Sequence, residues 1–440
     1  MPGASDLRPP LGGPQLLSAS AASAAIHAGT LTSEALVSAC LERIAQREGE
    51  VQAWAFIDPE LALAQARACD REAPRSWLHG IPVGIKDVID TFDMPTGYGS
   101  PIYPNHRPVA DAACVAQIRE LGGVILGKTV STEFATRHPN KTRNPHRLTH
   151  TPGGSSSGSG AAVADYMVPL ALGTQTSSSV IRPAAYCGVV GYKPGFGLIN
   201  RAGIKFLAES LDTIGILSRS VADAGRLAAL LSGLPVDASA FHSDRAPRIG
   251  LCHTPWWDQA SPAVQQSLLD CAQRFGAAGA TVQAIEFPAE FAQLNDVQIR
   301  LSSYEFFRAL SHERLRHPQL ISNSLTKRIA AGGAVTRAQY EAAVALMKRC
   351  QRWMEDRMTG FDLLMAPSAP DEAPEVSSTG EPTFGLMWTL LQMPCMTLPC
   401  GKGHGGLPLG VQLISACGND LGLYRHAGWA EGVLNTQAAR

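Results

Sequence analysis

The chain has 440 residues, of which 45% are apolar and 17% are charged, so it is long enough to bury a large core. Its 37 basic and 38 acidic side chains give a formal net charge of −1. This balance excludes the basic excess of a nucleic-acid-binding protein and the high net charge of a disordered chain.

The first predicted elements are a lead-in, two helices and a strand between them. Residues 1–15 are rich in proline and glycine, and we predict a flexible N-terminal lead-in there. Thr32 is a predicted N-cap because an apolar helical stripe follows it, and Asp58-Pro59 starts a second helix in the same way. Alternating apolar residues over 51–57 predict a strand.

Farther along, short apolar runs alternate with helical patterns. Apolar runs at 81–89, 124–126 and 167–172 predict strands, and the pattern at 112–121 predicts a helix. Residues 288–357 are strongly helical and could cap the rest of the fold. This alternation indicates one α/β domain built around a mostly buried sheet.

Three short motifs match known functional patterns but stand in the wrong context. Residues 122–129 fit the P-loop pattern, yet the strand follows the first glycines instead of preceding them, which argues against nucleotide binding. Residues 154–158 fit the nucleophile elbow of Ser-His-Asp hydrolases, yet a polar loop stands where an elbow needs a strand. Ser324 and Lys327 have the S-x-x-K spacing of penicillin-recognising enzymes, without the partner motifs.

Three other segments combine one lysine with two hydroxyl-rich loops. Residues 80–87 (GIPVGIKD) put Lys86 at the end of an apolar strand. Residues 153–158 (GGSSSG) and 173–184 (GTQTSSSVIRPA) supply the hydroxyls. A serine hydroxyl is a poor nucleophile until a neighbouring base takes its proton. A lysine can be that base when apolar burial lowers its pKa from about 10.4, so the three segments indicate nucleophilic catalysis.

These segments and their spacing resemble the amidase signature family, also called the Ser-Ser-Lys amidases. Ser155 and Ser179 are 24 residues apart, which suits the family, and residues 184–194 (AAYCGVVGYKP) match it as well. The resemblance extends over residues 20–435 and is tightest over 80–225.

The resemblance implies a fold and a domain organisation. The fold is α/β, a single domain in which helices cover both faces of a large mixed central sheet. The amidase domain would span residues 16–440, with a catalytic core over 80–225 and a helical, variable region on the substrate side over 288–357.

Carried over residue by residue, the resemblance also implies a catalytic triad. Ser179 is the nucleophile, Ser155 is the bridging hydroxyl and Lys86 is the base, with a cis peptide bond between Gly154 and Ser155. The backbone N–H groups that would form the oxyanion hole belong to Thr176, Ser177, Ser178 and Ser179. Neither a metal nor a cofactor is needed for this chemistry.

The sequence departs from the family pattern at several positions. Ser177-Ser178 replaces the usual Gly-Gly, so either φ is negative at both positions or activity is lowered, in which case Ser178→Gly is faster. Gln175 replaces a frequent aspartate and keeps its hydrogen-bonding capacity. We interpret Arg182 as a scaffold residue, an ion-pair partner or carbonyl anchor, rather than a substrate contact, and we have no account of Gly195.

We expect a hydrolase of non-peptide carbon–nitrogen bonds in linear amides, with aryl amides, carbamates (urethanes) and esters as further substrates. No excess of arginines indicates an anion subsite. The candidate lining of an apolar acyl pocket is Tyr304, Phe307, Met387, Trp388 and Leu391. Two other interpretations stay open: a protein like the A subunit of a glutamine-hydrolysing amidotransferase, which needs a partner protein, and a weakened homologue that acts as a binding protein.

The cysteines and the terminus bear on location. Ten cysteines occur without a Cys-x-x-Cys pair, which favours reduced thiols. The chain begins with no signal-peptide pattern and has no run of about 18 apolar residues. We therefore expect a cytoplasmic monomer or homodimer that binds a small amide or carbamate and neither nucleic acid nor a membrane.

Overall fold

The computed structural model describes residues 12–235, 238–241, 243 and 245–436. Residues 1–11 of the predicted lead-in lie outside the described residues, and the chain enters a short 3₁₀ helix at Pro14–Leu16. The strands are β1 (Trp54–Ile57), β2 (Pro82–Lys86), β3 (Val124–Thr129), β4 (Leu170–Gln175), β5 (Val190–Lys193), β6 (Thr213–Ser218), β7 (Arg248–Cys252), β8 (Thr281–Ile285), β9 (Leu363–Pro367), β10 (Cys395–Lys402) and β11 (Pro408–Ile414).

Helices fill most of the remaining chain. The α-helices are α1 (Ala19–His27), α2 (Ser33–Val51), α3 (Pro59–Asp70), α4 (Ala113–Glu120), α5 (Ser157–Ala164), α6 (Ile181–Cys187), α7 (Val221–Ser232), α8 (Pro262–Ala277), α9 (Leu294–Ala309), α10 (Ser311–Arg316), α11 (Asn323–Gly333), α12 (Arg337–Met358), α13 (Thr383–Leu390) and α14 (Asp420–Asn435). Further 3₁₀ helices lie at Glu133–Ala135, Ala238–Phe241, Trp257–Gln259, Ala289–Gln293 and Pro318–Leu320.

The strands of the described chain form one mixed sheet in the order β1-β3-β2-β4-β6-β5-β10-β11-β9-β7-β8. Strand β2 runs parallel to both β3 and β4, and β7 runs parallel to both β8 and β9. The other neighbours are antiparallel. Helices cover both faces of this sheet, which confirms the predicted α/β class.

Local signals set the element boundaries where the sequence predicts them. The Thr32 side chain accepts a hydrogen bond from Ala35 N at the start of α2, and Asp58 caps α3 in the same way, with Pro59 as its first residue. The strand predicted over 51–57 begins only at Trp54, because α2 continues to Val51. The other predicted strands correspond to β2, β3 and β4 with shifted bounds: the strand predicted over 81–89 ends at Lys86, and the one predicted over 167–172 begins at Leu170.

The small-residue run at 153–160 is part of the core. It enters helix α5, whose residues are all buried. Gly158 lies so close to the sheet that a Cβ there would be 2.2 Å from the Ala53 carbonyl oxygen and 2.3 Å from Val130 N. Small residues let α5 approach the sheet closely, and this approach places the serines before it at the end of β2.

The helical region predicted over 288–357 is confirmed as α9 to α12. All ten cysteines are free thiols, as predicted. Within the described ranges, no helix has the length and apolarity that crossing a bilayer requires.

Candidate active site

Lys86 and Ser155 meet where strands β2 and β4 end. Because these strands are neighbours and parallel, the chain leaves both of them at the same edge of the sheet. Lys86 is the last residue of β2, and its Nζ lies 2.7 Å from Ser155 Oγ. Both residues are 0% exposed, and the Gly154–Ser155 peptide bond is cis. The structure thus brings two of the three predicted triad members into hydrogen-bond contact.

The surroundings of Lys86 suit an uncharged amine. Its Nζ donates to Thr174 Oγ1 at 2.8 Å and to the Thr174 carbonyl at 3.2 Å. A neutral amine has two N–H donors and one lone pair, so these two bonds leave the lone pair for the Ser155 hydroxyl. Burial lowers the pKa of Lys86 well below its ordinary value, and the Asp212 carboxylate opposes this shift in part.

Ser179 lies in the turn between β4 and α6, next to the loop that carries Ser155. Ser156 N donates to the Ser179 carbonyl at 3.2 Å, which joins the two segments. Ser179 lines a cavity of about 430 Å³ and is 6% exposed. The nucleophile predicted from the sequence is therefore at the wall of a chamber large enough for a small ligand.

The backbone N–H groups of residues 176–179 are free within the described part of the chain. The preceding residue, Gln175, ends β4, and Val180 N and Ile181 N donate to its side chain. Free N–H groups beside a nucleophile are the feature that an oxyanion hole requires. The predicted hole of Thr176, Ser177, Ser178 and Ser179 stays a prediction that this arrangement supports.

The concern about Ser177-Ser178 is removed by the backbone. Neither residue has a positive φ, so their side chains cause no left-handed strain. Ser178 instead packs against α13 at Gly385, where a Cβ would lie 2.4 Å from Ser178 Cβ. In this chain the small residue at the contact is the glycine on the facing helix, whereas the family usually has a glycine in the loop itself. Because neither φ is positive, we do not expect Ser178→Gly to be faster than wild type.

A hydrogen-bonded network fixes the turn that carries Ser179. Gln175 Oε1 accepts from Val180 N at 2.8 Å and from Ile181 N at 3.1 Å, at the start of α6. Its Nε2 donates to Thr389 Oγ1 at 3.0 Å, and Thr389 Oγ1 donates to the Ser177 carbonyl at 2.6 Å. An aspartate at 175 could not donate to Thr389, which explains the glutamine.

Gln298 of α9 holds the same turn from the other side. Its Nε2 donates to the Thr176 carbonyl at 2.7 Å and to Ser177 Oγ at 3.2 Å. The sequence interpretation missed this residue. A signal was present, because Asn295, Gln298 and Ser302 recur at helical spacing on one buried face of α9.

Asp212 accepts hydrogen bonds that fix the start of the turn that carries Ser179. The Thr176 hydroxyl donates to Asp212 Oδ1 at 2.5 Å, while Leu207 N and Ala208 N donate to Oδ2 at 2.7 and 3.0 Å. Burial raises the pKa of Asp212 to about 6, and the three donors oppose that rise. Asp212 is therefore a positioning residue for Thr176 and not a group facing the cavity.

The residues predicted to line the acyl pocket lie elsewhere, and this prediction is corrected. Met387, Trp388 and Leu391 are buried in the core. Tyr304 stacks on Tyr340 beside a separate groove, and Phe307 packs against Gly333. The cavity is instead lined by their chain neighbours Phe306 and Leu386. One residue along a helix turns the side chain by about 100°, which moves each predicted contact off the cavity.

The structure explains the roles of Arg182 and Gly195, which the sequence left open. Arg182 Nη2 donates to the Gly154 carbonyl at 2.6 Å, so the predicted carbonyl anchor is confirmed. Gly195 N donates to Asp420 Oδ1 at 2.8 Å, and a Cβ on Gly195 would lie 2.9 Å from Oδ2. Glycine therefore allows this close contact with the Asp420 carboxylate.

The motif matches that we set aside have structural roles. Lys128, in the P-loop-like segment, is buried, and its Nζ donates to the Ile89 carbonyl at 2.5 Å and to Thr96 Oγ1 at 2.6 Å. Ser324 and Lys327 lie on exposed positions of α11. Backbone N–H groups at 122–124 already donate to backbone carbonyls, so the P-loop-like segment lacks the free donors that a phosphate needs.

Comparison with known proteins identifies the family. The sequence profile of the Amidase family matches residues 35–423. The A subunit of the glutamyl-tRNA(Gln) amidotransferase of Oleidesulfovibrio alaskensis is 33% identical, covering 89% of this chain and 92% of the relative. The same protein of Halalkalibacterium halodurans is 30% identical, covering 91% and 94%.

Comparison with solved structures supports the same family. One described as an amidase superimposes with a TM-score of 0.88 at 29% identity, covering 95% of this chain and 100% of that chain. The peptide amidase from Stenotrophomonas maltophilia superimposes with a TM-score of 0.79 at 29% identity, covering 95% and 97%. The fold and the sequence profile define a hydrolase of the amidase type. The chain belongs to the amidase signature family.

Proposed function

We propose that this chain is an amidohydrolase that cleaves the C–N bond of carboxylic amides through an acyl-enzyme on Ser179. The observation that carries the proposal is the 2.7 Å contact between the buried Lys86 amine and the Ser155 hydroxyl, next to the cavity that Ser179 lines. Linear amides are the first candidates, followed by aryl amides, carbamates and esters.

Acylation begins with a proton relay. Ser179 Oγ attacks the amide carbonyl while its proton passes to Ser155 Oγ, and the Ser155 proton passes to the lone pair of Lys86. The oxyanion of the tetrahedral intermediate accepts hydrogen bonds from the free N–H groups of the turn. Each such donor contributes about 2.7–4 kcal/mol to transition-state stabilisation in comparable enzymes.

The intermediate collapses when the C–N bond breaks. The proton held by Lys86 returns through Ser155 to the leaving nitrogen, so the amine leaves neutral and the relay is restored. Water then takes the place of the amine, gives its proton to the same relay and attacks the ester carbonyl. The C–O bond to Ser179 breaks, Ser179 recovers the proton and the carboxylic acid is released.

A second candidate is the role of the amidotransferase A subunit, as in the relatives that are about one third identical over most of this chain. The same triad would then hydrolyse glutamine, and a partner protein would receive the ammonia. The third interpretation, a weakened binding protein, has less support, because it depended on strain at Ser177-Ser178 and both residues have negative φ.

A substrate panel separates these candidates. Purified protein is assayed against p-nitroanilides, linear amides, carbamates, esters and free glutamine, alongside Ser179→Ala. The control Ser232→Ala removes a hydroxyl at the end of α7 that bonds only its own helix. Hydrolysis of amides by wild type and the control, lost in Ser179→Ala, supports the hydrolase. Turnover of glutamine alone, with a second chain that co-purifies, favours the amidotransferase, and inactivity on the whole panel favours a binding protein.

A further inference from the structure

Two arginines line the cavity without an acidic partner in the described chain: Arg182 is buried and Arg328 is half-buried. Arg182, on α6, is 2% exposed, and only its Nη2 is used, as donor to the Gly154 carbonyl. Its Nε and Nη1 are buried and have no hydrogen-bond partner. The guanidinium thus offers two unused donors beside the chamber that contains Ser179.

The second arginine comes from a distant segment. Arg328 of α11 lines the same cavity, and its guanidinium lies over the Phe306 ring at 4.1 Å. Its Nη2 donates to Ser302 Oγ at 3.1 Å, and no carboxylate of the described chain lies within ion-pair distance. A third lining arginine, Arg137, differs because it is exposed and paired with Glu381.

An unpaired charge at a buried site lowers the stability of the folded protein. Burial lowers the pKa of both Arg182 and Arg328 to about 10, so both stay charged at neutral pH. A charged guanidinium removed from water needs a partner that satisfies its donors, and a planar carboxylate matches two of them at once. Within the described residues no carboxylate faces either group, and a ligand carboxylate would supply the partner that the two unused donors of Arg182 lack.

We propose that Arg182 and Arg328 form an anion subsite in the cavity, and that the substrate is a small amide carrying a carboxylate. Arg182 follows Ser179 by three residues, so the carboxylate and the scissile carbonyl are joined by a short spacer. The assignment of the amide bond depends on the proposed function, whereas the anion subsite does not. It departs from the expectations that no anion subsite is present, since the sequence has no excess of arginines, and that Arg182 does not contact the substrate.

Matched substrates test the proposal by kcat/KM. Linear monoamides of dicarboxylic acids and N-(carboxyalkyl) amides are each compared with neutral amides of equal length. Charge-assisted hydrogen bonds of this kind correspond to effects of about 10- to 100-fold. We expect wild type to prefer the acid amides of at least one series by this factor or more. We expect Arg328→Gln to lose the preference while changing kcat/KM for the neutral amide less than about threefold.

Two variants complete the design. Arg182→Gln should also lose the preference, but it removes the anchor of the Gly154 carbonyl and can slow every substrate, so Arg328→Gln decides the test. Arg316→Gln, an exposed arginine on α10, is the matched control and should behave as wild type. Equal kcat/KM for acid and neutral amides in wild type, or an unchanged preference in Arg328→Gln, would overturn the subsite.

Binding without turnover separates this proposal from the proposed function. Ser179→Ala is titrated with linear dicarboxylates at fixed ionic strength by calorimetry, and again after Arg328→Gln is added. Saturable binding that weakens at least tenfold with Arg328→Gln supports the subsite even if no amide is hydrolysed, in which case only the proposed function fails. Absent binding, or binding that both proteins share equally, refutes the subsite even where hydrolysis is observed.

Discussion

Replacing Lys86 with methionine tests whether the lysine is uncharged in the folded protein. The side chain is fully buried, and its hydrogen-bond partners among the described residues are neutral: the hydroxyl of Ser155 and two oxygens of Thr174. Its pKa in the fold is well below the value of about 10.4 in an unfolded chain. Between these two values the unfolded chain binds one more proton than the folded protein.

The sign and the size of the effect follow from proton linkage. Where the unfolded chain binds the extra proton, raising the pH stabilises the folded protein, by about 1.4 kcal/mol for each pH unit. The stability that neutral Lys86 contributes is fully present above about pH 10.4 and is lost as the pH falls toward its folded pKa. Methionine cannot titrate, so the free energy of unfolding of wild type relative to Lys86→Met should rise with this slope.

The assay is urea unfolding of both proteins at pH 7, 8 and 9, followed by tryptophan fluorescence. Burial lowers the pKa of Lys128 to about 8, but this residue is present in both proteins and its contribution cancels in the difference. Lys402→Met, at an exposed position of β10, controls for the loss of one positive charge. A difference between wild type and Lys86→Met that stays constant from pH 7 to pH 9 would refute the uncharged lysine.

Three further predictions concern the relay and the turn around it. Because only neutral Lys86 accepts the proton, kcat/KM should rise tenfold per pH unit below its pKa and level off well below pH 10; a fall from pH 6 to 9 would contradict this. Gly385→Ala should cost about 1–3 kcal/mol in urea unfolding, since its Cβ would lie 2.4 Å from Ser178, and Ser178→Gly should recover most of it; Ser178→Gly alone should change kcat less than about threefold. Thr389→Val removes the donor to the Ser177 carbonyl, so the free energy of unfolding should fall by about 1–3 kcal/mol and kcat should fall about tenfold in steady-state assays; unchanged kcat would show that the network does not position the turn.

The motifs and their spacing predicted a site of Lys86, Ser155 and Ser179 through their resemblance to the amidase signature family. An apolar strand that ends in a lysine, and a neighbouring strand that ends in hydroxyls, converge when the two strands are parallel. This pairing brings Lys86 to Thr174 and to the turn that carries Ser179, whereas Ser155 reaches Lys86 from the loop before α5. The helix caps at Thr32 and Asp58 were predictable for a similar reason, since both act within one turn of chain.

The cavity wall could not be predicted in this way. Which of Phe306 and Phe307 lines the cavity depends on the rotation of α9. The sequence leaves this rotation uncertain by one residue, which is about 100°. Arg182 and Arg328 are 146 residues apart in the chain, so no local pattern joins them. The tolerance of Ser178 depends on Gly385, a contact between segments that only the fold brings together.

Labelling with a fluorophosphonate, followed by mass spectrometry, tests the relay most directly. We predict one adduct per chain on the peptide that contains Ser179, no adduct in Ser179→Ala, and labelling of Lys86→Met at least about 100-fold slower than wild type. An adduct on a different residue, or labelling of Lys86→Met at the wild-type rate, would contradict the assignment of Lys86 as the base that activates Ser179.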